Sequence, residues 1–367
     1  MSITPSEPTI AAYPSGSTVL VIGASGVIGS AVVRHMAGRD GITVIAAARR
    51  PEPPEAANVV ALPVDLSDRS ADRSSAAGDA TLATVTHLVY CAYVDAPGWQ
   101  AQNEPNARLF EAATDFAERH CPRLHHVTLL QGMKAYGSHL GRFKTPARES
   151  DPRIPHRHFY YDQQDRLAAR AEARGWTWTT LRPHVVIGPA RRSPLNLAAV
   201  LAVHGALCRA RGEALYFPGP EMAFDAVYQA TDAGLLARAI EWAGAEPRAE
   251  GEVFNITNGD FFRWRHLWPT IARALDLEPG DPRPERLAET MAGAGADWDR
   301  LVAAHRLEPN RIDDLVSWPF ADYVFHTTHD VMADTLKCRR AGFLAFAESE
   351  TVIVERLAEL RRLRIVP

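Results

Sequence analysis

The sequence has few cysteines and no long apolar run, and each of these features argues against one class of protein. Its four cysteines lie far apart along 367 residues, at positions 91, 121, 208 and 338, and form no CxxC pair. This spacing argues against a disulfide framework and predicts reduced thiols in a cytoplasmic protein. No apolar run reaches the roughly 20 residues of a membrane helix, and no basic stretch followed by an apolar one marks a signal peptide.

The sequence also lacks an excess of positive charge. It carries 40 Lys and Arg against 44 Asp and Glu, a formal net charge of −4, which gives no indication of a nucleic-acid partner. Its 14 histidines show no metal-ligand spacing, and no internal repeat is evident. What the chain does have is a hydrophobic content of 46%, which is enough for a sizeable core. Its length suits one large domain or two coupled ones.

The most informative stretch is residues 18–50, which predicts one β-α-β unit. Thr18–Ile22 is a short, β-branched apolar run, typical of a strand that is buried on both faces. Three glycines follow at positions 23, 26 and 29, then a helix, and then a second buried strand over Thr43–Ala48. This order is typical of a dinucleotide-binding unit. The alternative is a glycine turn in an ordinary α/β protein.

The glycines predict where the pyrophosphate of the dinucleotide binds. Without side chains, the loop lets backbone N–H groups approach an anion at the positive N-terminus of the helix. The residues that we assign to this part of the cofactor site are Gly23, Ser25, Gly26, Val27, Ile28 and Gly29.

Two arginines after the second strand predict which dinucleotide is bound. An acidic residue at this place would hold a ribose 2′-hydroxyl. The sequence instead has Arg49 and Arg50, planar cations suited to a 2′-phosphate, and so predicts NADPH over NADH. The alternative is a pair of solvated surface arginines. A third strand, Val59–Leu62, brings Asp65 to face the adenine amino group and Leu66 to pack on the ring.

Alternating strands and helices to about residue 130 predict an α/β fold with a doubly wound parallel sheet of the Rossmann type. The strand at 87–92 brings its C-terminal end, Ala92–Asp95, to the cofactor crevice. Later segments are mainly helical with proline-rich breaks, typical of a smaller substrate lobe. We expect a flexible tail over 1–17, a cofactor domain over 18–188 that is completed by about 222–258, and a mainly helical substrate lobe from 189–221 and 259–367.

The catalytic spacing that is usual in short-chain dehydrogenases is missing. These enzymes place a lysine four residues after a tyrosine on one helix. Tyr160 is followed at that spacing by Gln164, and Tyr161 is followed by Asp165. A lysine does occur earlier, because Lys134 lies 27 residues before Tyr161 at the mouth of the preceding strand. This separation lets the two side chains converge from different elements at one crevice.

Lys134 in QGMKAYG and Tyr161 in HFYYDQQD resemble the displaced lysine and tyrosine of the progesterone 5β-reductase/iridoid synthase (PRISE) family, an atypical group of extended short-chain dehydrogenases/reductases. The likeness covers most of the chain. GASGVIG and AARR are similar to the family's cofactor motifs, LRPHVVIGP to its Arg-Pro loop, and SPLN, FNITNGDFFRWRHLW, CRRAGFLAF and the final IVP to its later blocks. The sequence departs from the family at GMK, where a threonine-rich sequence with glycine is more usual, and at His184, where glycine is frequent.

The resemblance implies an NADPH-dependent 1,4-reduction of an activated alkene, such as an enone or enal. In that reaction, negative charge develops on the carbonyl oxygen as hydride adds to the β-carbon, so a fixed O–H donor lowers the barrier. We assign this donor to Tyr161, with Tyr160 as the alternative, since neighbouring helical residues point in different directions. Lys134 would hold the nicotinamide ribose and bias the phenol electrostatically.

The resemblance also implies contacts around the nicotinamide and the substrate. The backbone near Val185 and Val186 would approach the nicotinamide, Phe343 would cover the substrate, and Tyr160 would line the substrate pocket if it is not the donor. No metal is implied. Related reductases often pair, so a homodimer is a further expectation.

Two other functions stay open at this point. One is a carbonyl reductase, or a sugar-nucleotide epimerase or dehydratase, on the same scaffold. Epimerases usually keep the tyrosine–lysine spacing that is missing here, which ranks them lower. The other is a non-catalytic regulator that senses NADPH. The presence of both Lys134 and Tyr161 counts against that function.

Overall fold

The computed structural model describes residues 10–53, 56–67 and 80–367. Within these ranges the strands are β1 (Ser17–Ile22), β2 (Ile42–Ala48), β3 (Val59–Pro63), β4 (His87–Tyr90), β5 (His126–Leu130), β6 (Thr177–Pro183), β7 (Val186–Ile187), β8 (Leu215–Phe217), β9 (Val227–Tyr228), β10 (Thr231–Asp232), β11 (Glu252–Ile256), β12 (Phe262–Arg263) and β13 (Pro279–Pro282). The helices are α1 (Val27–Met36), α2 (Asn103–His120), α3 (Phe159–Arg174), α4 (Leu197–Arg211), α5 (Glu221–Asp225), α6 (Ala233–Ala245), α7 (Trp264–Ala274), α8 (Leu287–Thr290), α9 (Gly295–His305), α10 (Ile312–Leu315), α11 (Trp318–Phe325), α12 (Leu336–Arg340) and α13 (Ser349–Arg362). Short 3-10 helices span Met133–Tyr136 and Pro247–Ala249.

Seven strands form one parallel sheet in the order β11-β6-β5-β4-β1-β2-β3. β1 lies between β2 and β4, with Val19 opposite both Val44 and His87. The chain builds β2 and β3 on one side of β1 and then returns to its other side for β4, β5, β6 and β11. This reversal opens a crevice at the carboxyl ends of β1 and β4, where such sheets bind ligands. The predicted α/β fold with a doubly wound, Rossmann-type sheet is confirmed.

Helices cover both faces of the sheet because its strands are apolar on both sides. On one face, α1 and α6 enclose a core in which the rings of Trp242 and Phe254 lie 5.0 Å apart. On the other face, Phe110 of α2 and Leu167 of α3 share a core with Leu20 of β1. The sheet is therefore fixed from both sides, and its carboxyl edge is a rigid platform for a site.

A further apolar cluster lies in the segments that the sequence predicts to form a substrate lobe. It joins α4, which is buried from Leu197 to Cys208, to α7, α11 and α13. Trp264 and Trp268 of α7 pack on the ring of Phe325 at 5.5 and 5.9 Å. Both segments predicted for this lobe, 189–221 and 259–367, contribute side chains to the cluster.

The N-terminal segment requires a correction. A flexible tail is predicted for residues 1–17, of which 1–9 lie outside the described ranges. Tyr13 is buried, its N–H donates to Glu241 Oε1 at 3.3 Å, and its ring lies 4.2 Å from that of His87. Burying an aromatic side chain of this size stabilises the fold by about 2 kcal/mol, so residues 13–17 are part of the domain.

The cysteines are separate from one another in the fold. All four are free thiols; Cys121, Cys208 and Cys338 are buried, and Cys91 is half-buried directly after β4. In the ranges given above, no helix is both long and apolar enough to cross a membrane.

A close approach between α1 and the loop before it fixes the position of the predicted cofactor helix. A Cβ placed on Gly29 would lie 2.3 Å from the carbonyl oxygen of Gly23 and 2.7 Å from the Cα of Ala24. The loop has little freedom to retreat, because the N–H groups of residues 23 and 24 both donate to the carbonyl of Ala47 in β2. Only glycine at position 29 lets the first turn of α1 lie against this loop.

We predict that Gly29→Ala destabilises the protein by about 1–3 kcal/mol, since the backbone must shift to admit one methyl group. The matched control is Gly295→Ala at the first residue of α9, where nothing lies within 4 Å of the added Cβ. That change should be neutral or stabilising, because alanine has the higher helix propensity. Chemical denaturation compares the two variants, and equal free energies of unfolding would contradict the packing argument.

Candidate active site

The glycine loop between β1 and α1 forms a cradle at the carboxyl edge of the sheet. Gly23 has a φ of +90°, a conformation that side chains rarely adopt. A Cβ at this position would lie 2.8 Å from the backbone nitrogen of Ala92. The loop therefore lies directly against the end of β4, at the crevice predicted for the cofactor.

The N-terminus of α1 has no acidic side chain in its first turn that competes with an anion for its positive end. Gly26 is its N-cap residue and supplies no side-chain hydrogen bond, and the first turn holds no acidic residue. The N–H of Val27 donates to the hydroxyl of Ser193 at 3.1 Å, while Ser25 and Ile28 are half-buried beside it. Backbone donors at a positive helix end without a competing carboxylate fit a pyrophosphate. The loop is thus compatible with a bound dinucleotide.

The residues predicted for the adenosine end follow the next two strands. Arg49 and Arg50 come directly after β2, and both are exposed. Asp65 comes after β3, and its Oδ1 accepts from the N–H and the hydroxyl of Ser67 at 3.0 and 2.6 Å. Leu66 is half-buried and packs on the core beneath α2. These residues lie on the side of β1 that holds the adenosine half in dinucleotide-binding sheets.

Lys134 lies on the 3-10 helix after β5, and its ammonium enters a polar cluster. The Nζ donates to Gln102 Oε1 at 3.1 Å and approaches the hydroxyl of Tyr93 at 3.5 Å. Burial lowers the pKa of Lys134, and the nearby Asp95 carboxylate opposes that shift. Both groups that contact the ammonium are neutral side chains from the segment between β4 and α2.

Tyr161 contacts the same 3-10 helix but is fully engaged with the backbone. Its hydroxyl donates to the carbonyl of Ala135 at 2.6 Å and accepts from the N–H of Ile154 at 3.0 Å. The residue is only 7% exposed. Its single proton is therefore committed to the backbone next to Lys134, and Tyr161 holds in place the turn that carries this lysine.

Tyr160 has a free hydroxyl in this structure. Its hydrogen bonds within the described ranges involve only its backbone, because its N–H donates to His158 Nδ1 at 3.2 Å and its carbonyl accepts from Gln131 Nε2 at 2.6 Å. Its side chain is half-buried. This arrangement favours Tyr160, the alternative that the sequence left open, as the phenol available to a ligand.

The Tyr160 hydroxyl also lies at the carboxyl ends of two strands. A Cβ built on Gly132 would be 3.4 Å from this hydroxyl and 3.4 Å from the carbonyl oxygen of Pro183, which ends β6. Burial raises the pKa of Tyr160, Tyr323 raises it further, and Arg182 opposes the shift. The phenol therefore keeps its proton at neutral pH and can donate it in a hydrogen bond.

Two more tyrosines surround this cluster and were not assigned from the sequence. Burial raises the pKa of Tyr93, and interaction with Tyr160 and Asp95 adds to the shift. Tyr323 comes from α11 of the substrate lobe, and its hydroxyl lies 3.3 Å from that of Ser138. Tyr93 falls in the segment that the sequence places at the crevice, which is a usable signal. No sequence pattern points to Tyr323, because it reaches the site only through packing of the lobe.

The predicted nicotinamide contacts follow β6 directly. Val185 has a φ of +20°, which is strained for a β-branched residue, and its carbonyl accepts from the N–H of Thr231 at 3.2 Å. Val186 is half-buried and begins β7. His184 is fully enclosed, with its ring 4.7 Å from that of Tyr228, and burial lowers its pKa to about 3. At position 184, where glycine is frequent in the family, the neutral imidazole of His184 thus fills the space against Tyr228.

Phe343 requires a correction. It is only 2% exposed, and its ring lies 5.4 Å from that of Trp242 in α6. Both belong to the core on the face of the sheet that α1 and α6 cover. Phe343 therefore fills the core between α6 and the segment after α12, and it does not cover a substrate.

Two solved structures superpose on this one over nearly its whole length. UDP-N-acetylglucosamine 4-epimerase from Methanobrevibacter ruminantium superposes with a TM-score of 0.64 at 16% identity, over 96% of this chain and 98% of that one. The Bordetella bronchiseptica enzyme WbmG in complex with NAD superposes with a TM-score of 0.62 at 17% identity, over 96% and 97%. At such identities the likeness shows the fold alone.

Sequence comparison is more specific. The chain is 29% identical over 370 residues to (S)-8-oxocitronellyl enol synthase ISY1 of Nepeta cataria, which covers 96% of this chain and 93% of that protein. It is also 29% identical, with the same coverage, to 3-oxo-Delta(4,5)-steroid 5-beta-reductase of Arabidopsis thaliana. Residues 19–342 match the family model for the PRISE-like Rossmann-fold domain. The chain belongs to the PRISE family, the group that its lysine and tyrosine motifs resemble.

Proposed function

We propose that the protein is an NADPH-dependent reductase of activated C=C bonds, which converts an enone or enal to its saturated carbonyl compound. Family membership supports this proposal, as do relatives that are named an enol synthase and a steroid reductase. The structural observation that carries it is the hydroxyl of Tyr160, which has no hydrogen-bond partner among the described residues and lies at the carboxyl ends of β5 and β6. Lys134 Nζ lies 3.5 Å from the hydroxyl of Tyr93, and interaction with Tyr160 raises the pKa of the same Tyr93 phenol.

Tyr160 stabilises the charge that develops in the reaction. When bound, the reduced nicotinamide supplies a hydride to the β-carbon of the substrate. Negative charge then collects on the carbonyl oxygen of the substrate, and the O–H of Tyr160 donates a hydrogen bond to it. Because burial keeps the phenol protonated, it can donate this bond throughout, and the bond strengthens as the charge grows. The α-carbon takes its proton from water, so no second side-chain acid is needed.

Lys134 supports the same chemistry without forming a bond to the substrate. Its ammonium uses one N–H on Gln102 and directs another toward Tyr93. An ammonium has three donors, so one stays available for a ribose hydroxyl of the cofactor. Its positive charge also makes negative charge nearby less costly. Tyr161 contributes by holding the carbonyl of Ala135, next to this lysine.

The preference for NADPH over NADH rests on Arg49 and Arg50. Both side chains are exposed where β2 ends, on the adenosine side of the glycine loop. Guanidinium groups bind phosphate in a bidentate manner, whereas a ribose 2′-hydroxyl calls for an acidic partner. The pair therefore supplies the chemistry that a 2′-phosphate requires.

Location and assembly are proposed on simpler grounds. Four free thiols favour a reducing compartment, and on that basis we propose the cytoplasm. The homodimer implied by related reductases stays a prediction, which light scattering on the purified protein would test.

The first prediction of this proposal concerns the product. Purified protein with NADPH and a small cyclic enone should consume the cofactor and release the saturated ketone, identified by gas chromatography with mass spectrometry. An allylic alcohol as the sole product would instead support a carbonyl reductase. Cofactor binding without turnover across a panel of enones and enals would support a sensing protein.

The second prediction separates the two neighbouring phenols. Tyr160→Phe should lower kcat about a hundredfold, the usual cost of removing one donor to a developing oxyanion. Its melting temperature and its affinity for NADPH should stay close to those of the wild type, because the lost hydroxyl has no partner within the described residues.

Tyr161→Phe is the matched control on the same helix. It leaves the carbonyl of Ala135 and the N–H of Ile154 without their partner, so it should cost about 1–3 kcal/mol of stability. The loss in kcat should be smaller than for the first variant. Wild-type turnover by Tyr160→Phe, together with a hundredfold loss in Tyr161→Phe, would reverse the assignment.

The third prediction tests the choice of cofactor. Replacing Arg49 and Arg50 together by alanine should raise the Kd for NADPH at least tenfold and leave that for NADH nearly unchanged, as measured by fluorescence titration. Arg300→Ala, which removes an exposed arginine on α9, serves as the control for a general change in surface charge. An equal change for both cofactors would show that these arginines do not bind the 2′-phosphate.

A further inference from the structure

Gln102 is a buried amide whose only part in the mechanism above is to accept a hydrogen bond from Lys134. It lies at the start of α2 and is only 6% exposed. Its Oε1 accepts the hydrogen bond from Lys134 Nζ at 3.1 Å, the shorter of the two contacts of this ammonium. A buried amide held against a half-buried ammonium is a specific arrangement, because each group gives up water that the hydrogen bond between them replaces.

The surroundings of Gln102 fix which end of its amide faces the lysine. The Nε2 donates to Asp95 Oδ1 at 3.2 Å and to the carbonyl of Ala96 at 3.2 Å. Two acceptors on one side require the NH₂ group there. The carbonyl oxygen is therefore directed to Lys134, and the amide stands between an ammonium and a carboxylate.

We infer that Gln102 is a positioning residue for Lys134: it holds the ammonium in the crevice and keeps the Asp95 carboxylate one side chain away. The role of Lys134 toward cofactor and substrate rests on the proposed function, but the placement of its charge does not. A direct lysine–aspartate pair would draw the ammonium toward the exposed Asp95 and use donors that a ribose hydroxyl needs. The neutral amide binds the ammonium at one point and leaves it a free N–H.

The charges around Lys134 show why the intervening amide matters. The titratable groups that face it are Asp95 and Tyr93 on the segment after β4, His139 beyond its own 3-10 helix, and His158 at the start of α3. Burial lowers the pKa of His139 to about 4 and that of His158 to about 3, with Lys134 adding to both shifts, so both rings are neutral at pH 7. Among these groups Asp95 is the only carboxylic acid side chain. Gln102 contacts both Asp95 and Lys134, and it is therefore placed to control the electrostatics of the lysine.

The test changes the charge at position 102 and measures the protonation of Lys134 directly. In Gln102→Glu a carboxylate touches the ammonium, which favours the charged form and raises the pKa of Lys134. Lys134 is acetylated with acetic anhydride at a fixed pH below that pKa, and the product is followed by peptide mass spectrometry. Labelling should be at least tenfold slower than in the wild type, because raising the pKa by one unit removes nine-tenths of the free amine. Gln102→Leu removes the acceptor and should make labelling faster. The same shifts should move the alkaline limb of the pH profile of kcat to higher pH in Gln102→Glu and to lower pH in Gln102→Leu.

The matched control is Gln100→Glu, which adds the same charge to an exposed position on the same segment. Asp95→Asn is a second variant for the case that position 102 tolerates no change, since asparagine still accepts from Gln102 Nε2 while the charge is gone; it should speed the labelling of Lys134. Equal labelling of Lys134 in Gln102→Glu and Gln100→Glu, with both folded by circular dichroism, would overturn the inference, as would unchanged labelling in Asp95→Asn. Shifted labelling in a protein that reduces no enone would support the placement of the charge and contradict the proposed function.

Discussion

A half-buried ammonium held by neutral groups is the constraint on which the rest of the crevice depends. Removing such a charge from water costs several kcal/mol unless hydrogen bonds replace the lost hydration. Gln102 and Tyr93 supply two of these bonds, and the nearest carboxylate, Asp95, acts from behind the amide. The ammonium is therefore incompletely satisfied, which is the condition in which a polar ligand gains most by binding to it.

The side chains of Tyr160 and Tyr161 point in different directions because the rotation of α3 about its own axis is fixed at its first turn. The ring of His158 caps the helix by accepting from the N–H of Tyr160, and Phe159 is buried. Successive helical residues are turned by about 100° from each other. Once Phe159 faces the core, Tyr160 is directed to the crevice and Tyr161 to the turn that carries Lys134. Periodicity predicted that only one phenol faces the crevice, but the choice depends on this cap and on packing.

The parts of the molecule that the sequence predicted are those with local signals. The glycine loop, the order of strands and helices to about residue 130, and the buried strands all have patterns within a few residues of one another, and the structure follows them. Gln102 and Tyr323 reach Lys134 and Tyr160 only through the docking of α2 and of the substrate lobe, which no local pattern encodes. Phe343 shows the opposite failure, because an apolar residue in a family block has the same sequence signal whether it lines a pocket or fills a core.

The likeness to epimerases shows why fold and chemistry must be argued separately. With the usual spacing, phenol and ammonium lie one helical turn apart, and the helix itself fixes their distance. Here the phenol is on α3 and the lysine is on the turn after β5, so their distance depends on how these two elements are joined. Gln131 Nε2 donates to the carbonyl of Tyr160 at 2.6 Å, and the Tyr161 hydroxyl donates to the carbonyl of Ala135 at 2.6 Å. These bonds lie on either side of Lys134 and tie its turn to α3 at both ends, so that two hydrogen bonds between elements replace the constraint of a single helix.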